Sequence, residues 1–359
     1  MDFTVPPRFR TPGRAAAGNP DVRFDRLTHE GVDDGWTADE DLPVLRTQVS
    51  EEMPRRVISK NTSPDLSFDR SINPYRGCEH GCIYCYARPS HAYLGLSPGL
   101  DFETRLIARP DAPQVLAREL RAASYVPQTI AIGTNTDPYQ PIERDRRIMR
   151  GLLQVLSDFN HPIAIVTKGA LITRDIDILA PMAAKGLVRV GISVTTLDNA
   201  TSRAMEPRVP LPAVRLRTIR ALTDAGIDVR VMVSPVVPAL TDHELESILA
   251  AAKDAGAVAA SSIVLRLPRE VAGLFRDWLE SSYPDRAARI MGRVRELHGG
   301  LDYDPAFGTR MTGQGEWARL LRQRFNLAAR RLGLDRRLLP LRTDLFAAPP
   351  QAGDQMQLF

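Results

Sequence analysis

From residue 66 to residue 265, short β-branched runs alternate with amphipathic stretches, and this alternation limits the fold more than any other feature of the chain. One strand is expected just before Cys78, and five more at 129–133, 163–167, 188–194, 228–233 and 261–265. Between them lie helical stretches such as ERDRRIMRGLLQVLSDF (143–159), LPAVRLRTIRALTDAG (211–226) and TDHELESILAAAKDAG (241–256). The last opens with Thr241 in capping-box spacing to Glu244, and the latter two end in Gly. Strict alternation predicts an α/β fold with a parallel sheet, and six units predict a partial (β/α)6 barrel rather than a closed eightfold one. Active-site groups then belong just after each strand.

The flanks read differently. Residues 1–60 are rich in Pro, Arg, Gly and Asp without sustained periodicity, and are expected to form a partly ordered arm ahead of a barrel at 61–300. Residues 301–346 are expected to add a basic helical extension. Its helix (316–334) places Trp317, Leu320, Leu321, Ala328 and Leu332 on one face and turns Arg319, Arg322, Arg330 and the following Arg337 elsewhere. A flexible tail, 347–359, follows. With 359 residues, 43% of them hydrophobic, the chain can bury one sizeable core. Its 25% charged content leaves no apolar run of membrane-spanning length. The opening MDFTVPPRFRTPGR has basic residues but no apolar stretch behind them, so no secretory signal is expected and the location expected is cytoplasmic. Most of the basic excess behind the net charge of +4 falls in the two flanks, which points to an anionic partner.

Three cysteines, Cys78, Cys82 and Cys85, fall within eight residues in NPYRGCEHGCIYCYA, directly after the first expected strand. They are odd in number and too close for an ordinary disulfide framework, so they read as a metal site. A [4Fe-4S] cluster needs four ligands, and this loop supplies three. The iron left open suits a bidentate amino acid, and S-adenosyl-L-methionine (SAM) offers its amine and carboxylate. One-electron cleavage there would yield methionine and a 5'-deoxyadenosyl radical. The competing reading is a Cys3His zinc site with His80 or His91 as fourth ligand.

With its CxxxCx(aromatic)C loop after the first strand, the chain resembles the radical SAM superfamily. Within it, NPYRGCEHGCIYCYAR, IGTNTDPYQPIE, VTKG and AMEPRVP make it similar to the spore photoproduct lyase-like (DNA repair photolyase-like) proteins, over roughly residues 71–210. The resemblance implies that Tyr84 lies against the SAM adenine, and that Asn135 and Asp137 in GTNTDPYQ hold the SAM amine. An Asp before Pro is equally a turn former, and Tyr84 equally a packing residue. Lys168, after the third strand, is placed to pair with the SAM carboxylate or to stand as a solvated lysine. Ser193, Thr195 and Ser234 suit ribose hydroxyls or carboxylate oxygens. Glu206 and Arg208 form either a clamp on cofactor or substrate, or a surface ion pair. Arg266 is a candidate to face the substrate. Spore photoproduct lyases also use a further cysteine as hydrogen-atom donor. Here all three cysteines are assigned to iron, which leaves Tyr86, Tyr93 and Tyr139 as alternative donors.

A radical SAM enzyme acting on DNA, one modifying RNA, a protein or a small molecule, and a non-catalytic iron-sulfur or zinc protein docking on nucleic acid all remain open. Any of the enzymes needs an external electron donor. The last five residues, Gln355, Met356, Gln357, Leu358 and Phe359, resemble the short motif by which bacterial repair proteins bind the sliding clamp. Leu345 and Phe346 repeat the Leu-Phe pair without the Gln and are expected to pack against the barrel.

Overall fold

The computed structural model describes residues 12–25 and 45–350. The clamp-like pentapeptide therefore lies outside the described residues. Ten strands occur among them: β1 (Gln48–Glu51), β2 (Ser59–Lys60), β3 (Arg70–Ile72), β4 (Tyr75–Arg76), β5 (Arg105–Ala108), β6 (Ile130–Ile132), β7 (Ile163–Thr167), β8 (Val188–Ser193), β9 (Val229–Val236) and β10 (Ala259–Val264). The main sheet runs β10-β9-β8-β7-β6-β3-β2. Each neighbouring pair from β3 to β10 is parallel, and only β2 joins antiparallel. Each of the six expected strands thus overlaps an observed one, joined in chain order through helices.

The sheet's two faces differ in chemistry. Ile163, Ile165, Val188, Val190, Ile192, Val229, Val231 and Val233 alternate onto one face and enter a single core with helix residues such as Leu152, Leu179, Ile219 and Leu249. On the opposite face, register sets Ser193 beside Met232 and Ser261, and Gly191 beside Arg230. A Cβ on Gly191 would stand 2.7 Å from the Met232 sulfur. Small and polar residues on that face leave room that a two-sided apolar sheet would fill.

Several local expectations change. The helix expected at 143–159 is split into Glu143–Arg146 and Ile148–Asp158 by Arg147, which takes a left-handed φ of 53°. Thr241 makes no capping bond; its hydroxyl instead accepts from the Val237 N–H at 3.1 Å. The Glu244 carboxylate is drawn away to Thr196 Oγ1 and the Leu197 N–H, at 2.5 and 2.7 Å. In the helix Gly315–Arg331, Ala318, Leu321 and Ala329 face the core, while Leu320 is exposed. Phe346 does pack inward, its ring tilted 5.5 Å from that of Tyr125 and meeting His161 edge-on.

Both flanks are tied to the sheet. The edge of β10 is covered by the C-terminal region, through Ala260 N–H to Leu334 O at 2.9 Å and Val264 N–H to Met311 O at 3.1 Å. At the other flank, Ala15 and Ala16 are buried in the core that contains Cys82, Ile83 and Tyr84.

Candidate cluster and cofactor site

The chain between β4 and the 3-10 helix Arg88–Leu94 carries the three thiols, all free, Cys78 and Cys82 buried and Cys85 half-buried. Gly77 and Gly81 take left-handed φ values of 76° and 65°, which lets the loop fold back tightly. Gly81 N–H donates to Cys78 O at 3.1 Å and Cys85 N–H to Cys82 O at 3.2 Å. Gln140 holds the first turn, accepting from Glu79 N–H at 2.8 Å and donating to Gly77 O at 3.3 Å.

Sequence reasoning missed the residue that holds this loop from behind. Arg88 is fully buried and donates to four carbonyls, those of Gly81, Cys82, Pro98 and Gly99, at 2.9–3.0 Å. Its charge is matched by Glu103 at 2.6 Å, also fully buried. Glu103 in turn accepts from the Ala15 and Ala16 N–H groups at 3.1 and 3.0 Å. The N-terminal segment is thereby stitched to the loop. An arginine three residues after the last cysteine looks like any basic residue in a sequence; only its burial reveals the role.

Each histidine of the zinc alternative has one ring nitrogen against a protein group: His91 Nε2 lies 3.0 Å from Arg105 O, and His80 Nδ1 lies 3.3 Å from Asp137. Among the described residues no three His, Cys, Asp or Glu side chains close around a single-ion point. A cube-shaped cluster asks for something different, one thiolate at each of three irons. Burial pushes the Cys78 thiol well above its usual range, with Asp137 adding to it, and pushes Cys82 up to about 12 although Lys168 pulls it down, so a bound cluster's irons would supply the further positive charge that favours thiolates.

The other candidates fall into two groups. Tyr84, Thr195, Ser193 and Glu206 meet in one buried network. The Glu206 carboxylate accepts from the Tyr84 hydroxyl, from Thr195 Oγ1 at 3.0 Å and from Arg215. Arg215, unmarked in the sequence, is fully buried and also donates to Ser193 O, Ser202 Oγ and Pro210 O at 3.1, 3.0 and 2.8 Å. Burial works against the Glu206 charge, but Arg215 and Lys168 outweigh it and hold the carboxyl below its usual range. Burial, with Glu206 adding to it, raises the Tyr84 hydroxyl well above its own. Glu206 therefore holds Tyr84, and it does not form the alternative surface ion pair with Arg208. Arg208 turns instead to Glu79 in the cysteine loop, at 3.3 Å.

Asp137 is likewise engaged by the protein, accepting from Thr167 Oγ1, Lys168 N–H and Tyr139 N–H at 2.6, 2.8 and 2.9 Å. Burial disfavours its charge, yet His80 and these donors bring its carboxyl down to about 2. It braces β7 against the cysteine loop. The Asn135 N–H binds Asn73 Oδ1 at 3.0 Å and its side chain reaches Ser90 only at 3.5 Å.

The second group keeps free valence. Lys168 Nζ stands 5.7 Å over the Tyr84 ring and pairs with no carboxylate among the described residues. Burial opposes its charge, but Cys82, Glu206 and Asp137 outweigh that and keep the ammonium above its usual range. The Ser234 and Ser261 hydroxyls and Arg266 Nε are buried without a hydrogen-bond partner. Ser234 near the end of β9 and Arg266 just past β10 are placed to meet a polar cofactor, with Ser261 earlier in β10. Arg266 also sits 5.1 Å over the Tyr86 ring and 5.9 Å from that of Tyr303. Of the tyrosines considered as donors, Tyr86 follows Cys85 directly, Tyr93 is exposed against Phe24, and Tyr139 is buried.

The Radical SAM superfamily family model matches residues 72–252. The uncharacterized protein Rv2578c of Mycobacterium tuberculosis is 37% identical over 291 residues, covering 80% of this chain and 82% of that protein. The uncharacterized protein MJ0683 of Methanocaldococcus jannaschii is 25% identical over 215 residues, covering 60% and 76%. Among solved structures, spore photoproduct lyase complexed with dinucleoside spore photoproduct shares the fold, with a TM-score of 0.56 over 79% of each chain at 15% identity. The chain belongs to the radical SAM superfamily, and it is an enzyme of that type. A [4Fe-4S] cluster and SAM are the cofactors of this family. Among the described residues no helix is long and apolar enough to cross a membrane.

Proposed function

We propose that this chain is a radical SAM enzyme acting on a nucleic acid, with Cys78, Cys82 and Cys85 as the cluster ligands at the mouth of a partial six-unit barrel. When bound, the cluster and SAM supply one-electron cleavage of SAM and a carbon radical able to take hydrogen from a substrate. The protein's own part is positioning. Lys168 offers a buried cation to the SAM carboxylate, and the Ser234 hydroxyl offers an open hydrogen bond at the end of β9. Tyr84, fixed by Glu206 and Arg215, gives its ring as a wall for the adenine. Arg88 and Glu103 keep the loop closed, and Ala15 and Ala16 shield it from water.

The fold shared with a lyase solved with a dinucleoside lesion carries the nucleic-acid reading. The helix Gly315–Arg331 and its flank support it as a basic extension. Among the described residues Arg319 pairs only with its exposed neighbour Glu316, and Arg322 and Arg330 stand exposed beside it. A lesion reversal that needs a fourth cysteine is not proposed, because the sequence has three and all lie in the cluster loop. The test is anaerobic turnover with reductant and SAM across damaged and intact DNA, tRNA and peptides, reading 5'-deoxyadenosine linked to product. Product from a peptide alone would replace this reading.

A further inference from the structure

A groove of about 610 Å³ opens between the loop after β9 and the helices Pro284–Leu297 and Gly315–Arg331. Arg286, Arg289 and Arg293 rise from the first helix at i, i+3 and i+7, which puts them on one face. Trp317 and Arg324, seven residues apart on the second helix, stand opposite. Asp242 is the single acidic residue among the lining.

The way these charges are matched separates binding groups from braces. Arg324 is held by Glu246 at 2.6 and 2.8 Å and donates to Asp242 O at 3.0 Å, so it fastens the two elements together. Arg286 donates to Ala239 O at 2.5 Å, which leaves its charge unneutralised. Arg293 lies 4.8 Å over the Trp317 ring and, among the described residues, has a carboxylate partner only in exposed Glu296. Arg289 makes no ion pair among the described residues. Like charges at these spacings repel along a helix, and an anion in the groove would relieve that cost. The Trp317 indole N–H is buried and has no partner, a donor left open at the same groove.

Placement adds to this. Ala239, Asp242 and His243 follow the carboxyl end of β9, and the cysteine loop follows that of β3, so in the parallel sheet both open at the same end. Bonds to the helix Asn199–Met205 join the cysteine loop to the helix Glu270–Ser282, which directly precedes Pro284–Leu297. Ile83 of the loop donates to Met205 O at 3.0 Å, and Trp278 donates to the adjacent Ala204 O at 2.9 Å. Seven residues of helix rise about 10 Å, comparable to the axial rise of about three base-pair steps of a duplex.

We propose that this groove holds the phosphodiester backbone of the nucleic-acid substrate while the reacting nucleotide enters the cysteine-loop site. The inference rests on the nucleic-acid reading above and adds where the backbone is gripped. The test uses the full chain, anaerobically loaded, titrated against a fluorescein-labelled DNA duplex at several salt concentrations. Arg286→Gln, Arg289→Gln and Arg293→Gln together should weaken binding at least tenfold and reduce the salt slope by about 3. The triple lysine variant should keep the slope, and removing Arg118 and Arg217 from a distant surface should change neither quantity. Thermal unfolding checks that each variant is folded. Wild-type binding with a triple glutamine variant that binds equally well overturns this inference and leaves the nucleic-acid reading standing. No wild-type binding at low salt removes both. Full competition by inorganic phosphate or polyglutamate at matched ionic strength would also overturn it, since it would mark a small-anion or acidic-peptide site.

Discussion

The Tyr84 hydroxyl donates to the Glu206 carboxylate and so ties the residue before Cys85 to the loop that follows β8. Glu206 is also the only carboxylate that Arg215 pairs with among the described residues, and both are fully buried. Removing the acid should therefore cost more than removing the phenol. Glu206→Ala leaves a buried guanidinium uncompensated, at about 3–5 kcal/mol. Tyr84→Phe removes one donor from a carboxylate that keeps two others, at about 1–3 kcal/mol. Anaerobic urea unfolding of both variants reads the order directly, and equal losses would mean that the network does not depend on the Arg215 pair.

Arg88 predicts a second effect, on the loop itself. Arg88→Met strands Glu103 and frees the carbonyls of Gly81, Cys82, Pro98 and Gly99. The variant should lose iron faster in air than the wild type, and Arg88→Lys should restore little, because an ammonium cannot span those acceptors. Iron content followed after exposure to oxygen measures it; wild-type retention in Arg88→Met would contradict it.

A pH dependence arises far from the site. His161 is fully buried between Tyr125, 2.7 Å from its Nε2, and Pro162 O, 3.0 Å from its Nδ1. Burial brings its pKa down to about 4 from 6.5, so below 6.5 the unfolded chain takes up a proton that the folded one refuses. That contribution is complete above pH 6.5 and is lost as pH falls toward 4. Between pH 7.5 and pH 5 the loss should be about 2 kcal/mol. Urea unfolding at the two values should show a smaller loss in His161→Gln than in the wild type.

Much of this molecule is legible in the sequence because periodicity reports burial. The runs around Ile163, Val188 and Val229 alternate and become adjacent parallel strands, and Gly226 and Gly256 mark helix ends with left-handed φ values of 77° and 101°. The site is legible only in part. Spacing marks Cys78, Cys82 and Cys85 as the proposed cluster ligands, and position after a strand marks Lys168 as a candidate. It cannot reveal Arg88, Arg215 or Glu103, whose importance comes from burial against distant partners. The same limit applies to Asp137 and Glu206: their place in the chain suggests cofactor contacts, and their hydrogen bonds to the distant Thr167 and Arg215 are not readable from it.

Lys168 distinguishes cofactor binding from loop stability. Lys168→Gln should weaken SAM binding about tenfold, equivalent to about 1.4 kcal/mol, with the same iron content as the wild type. Equilibrium dialysis with labelled SAM reads the affinity. An unchanged affinity would assign the SAM carboxylate to another residue.

The most direct measurement is metal and product analysis of anaerobically reconstituted protein. About four irons and four sulfides per chain are expected, with SAM cleaved to 5'-deoxyadenosine on reduction and both properties lost in Cys82→Ala. Stoichiometric zinc without iron, or an iron-loaded protein that leaves SAM intact under reduction, would contradict the account.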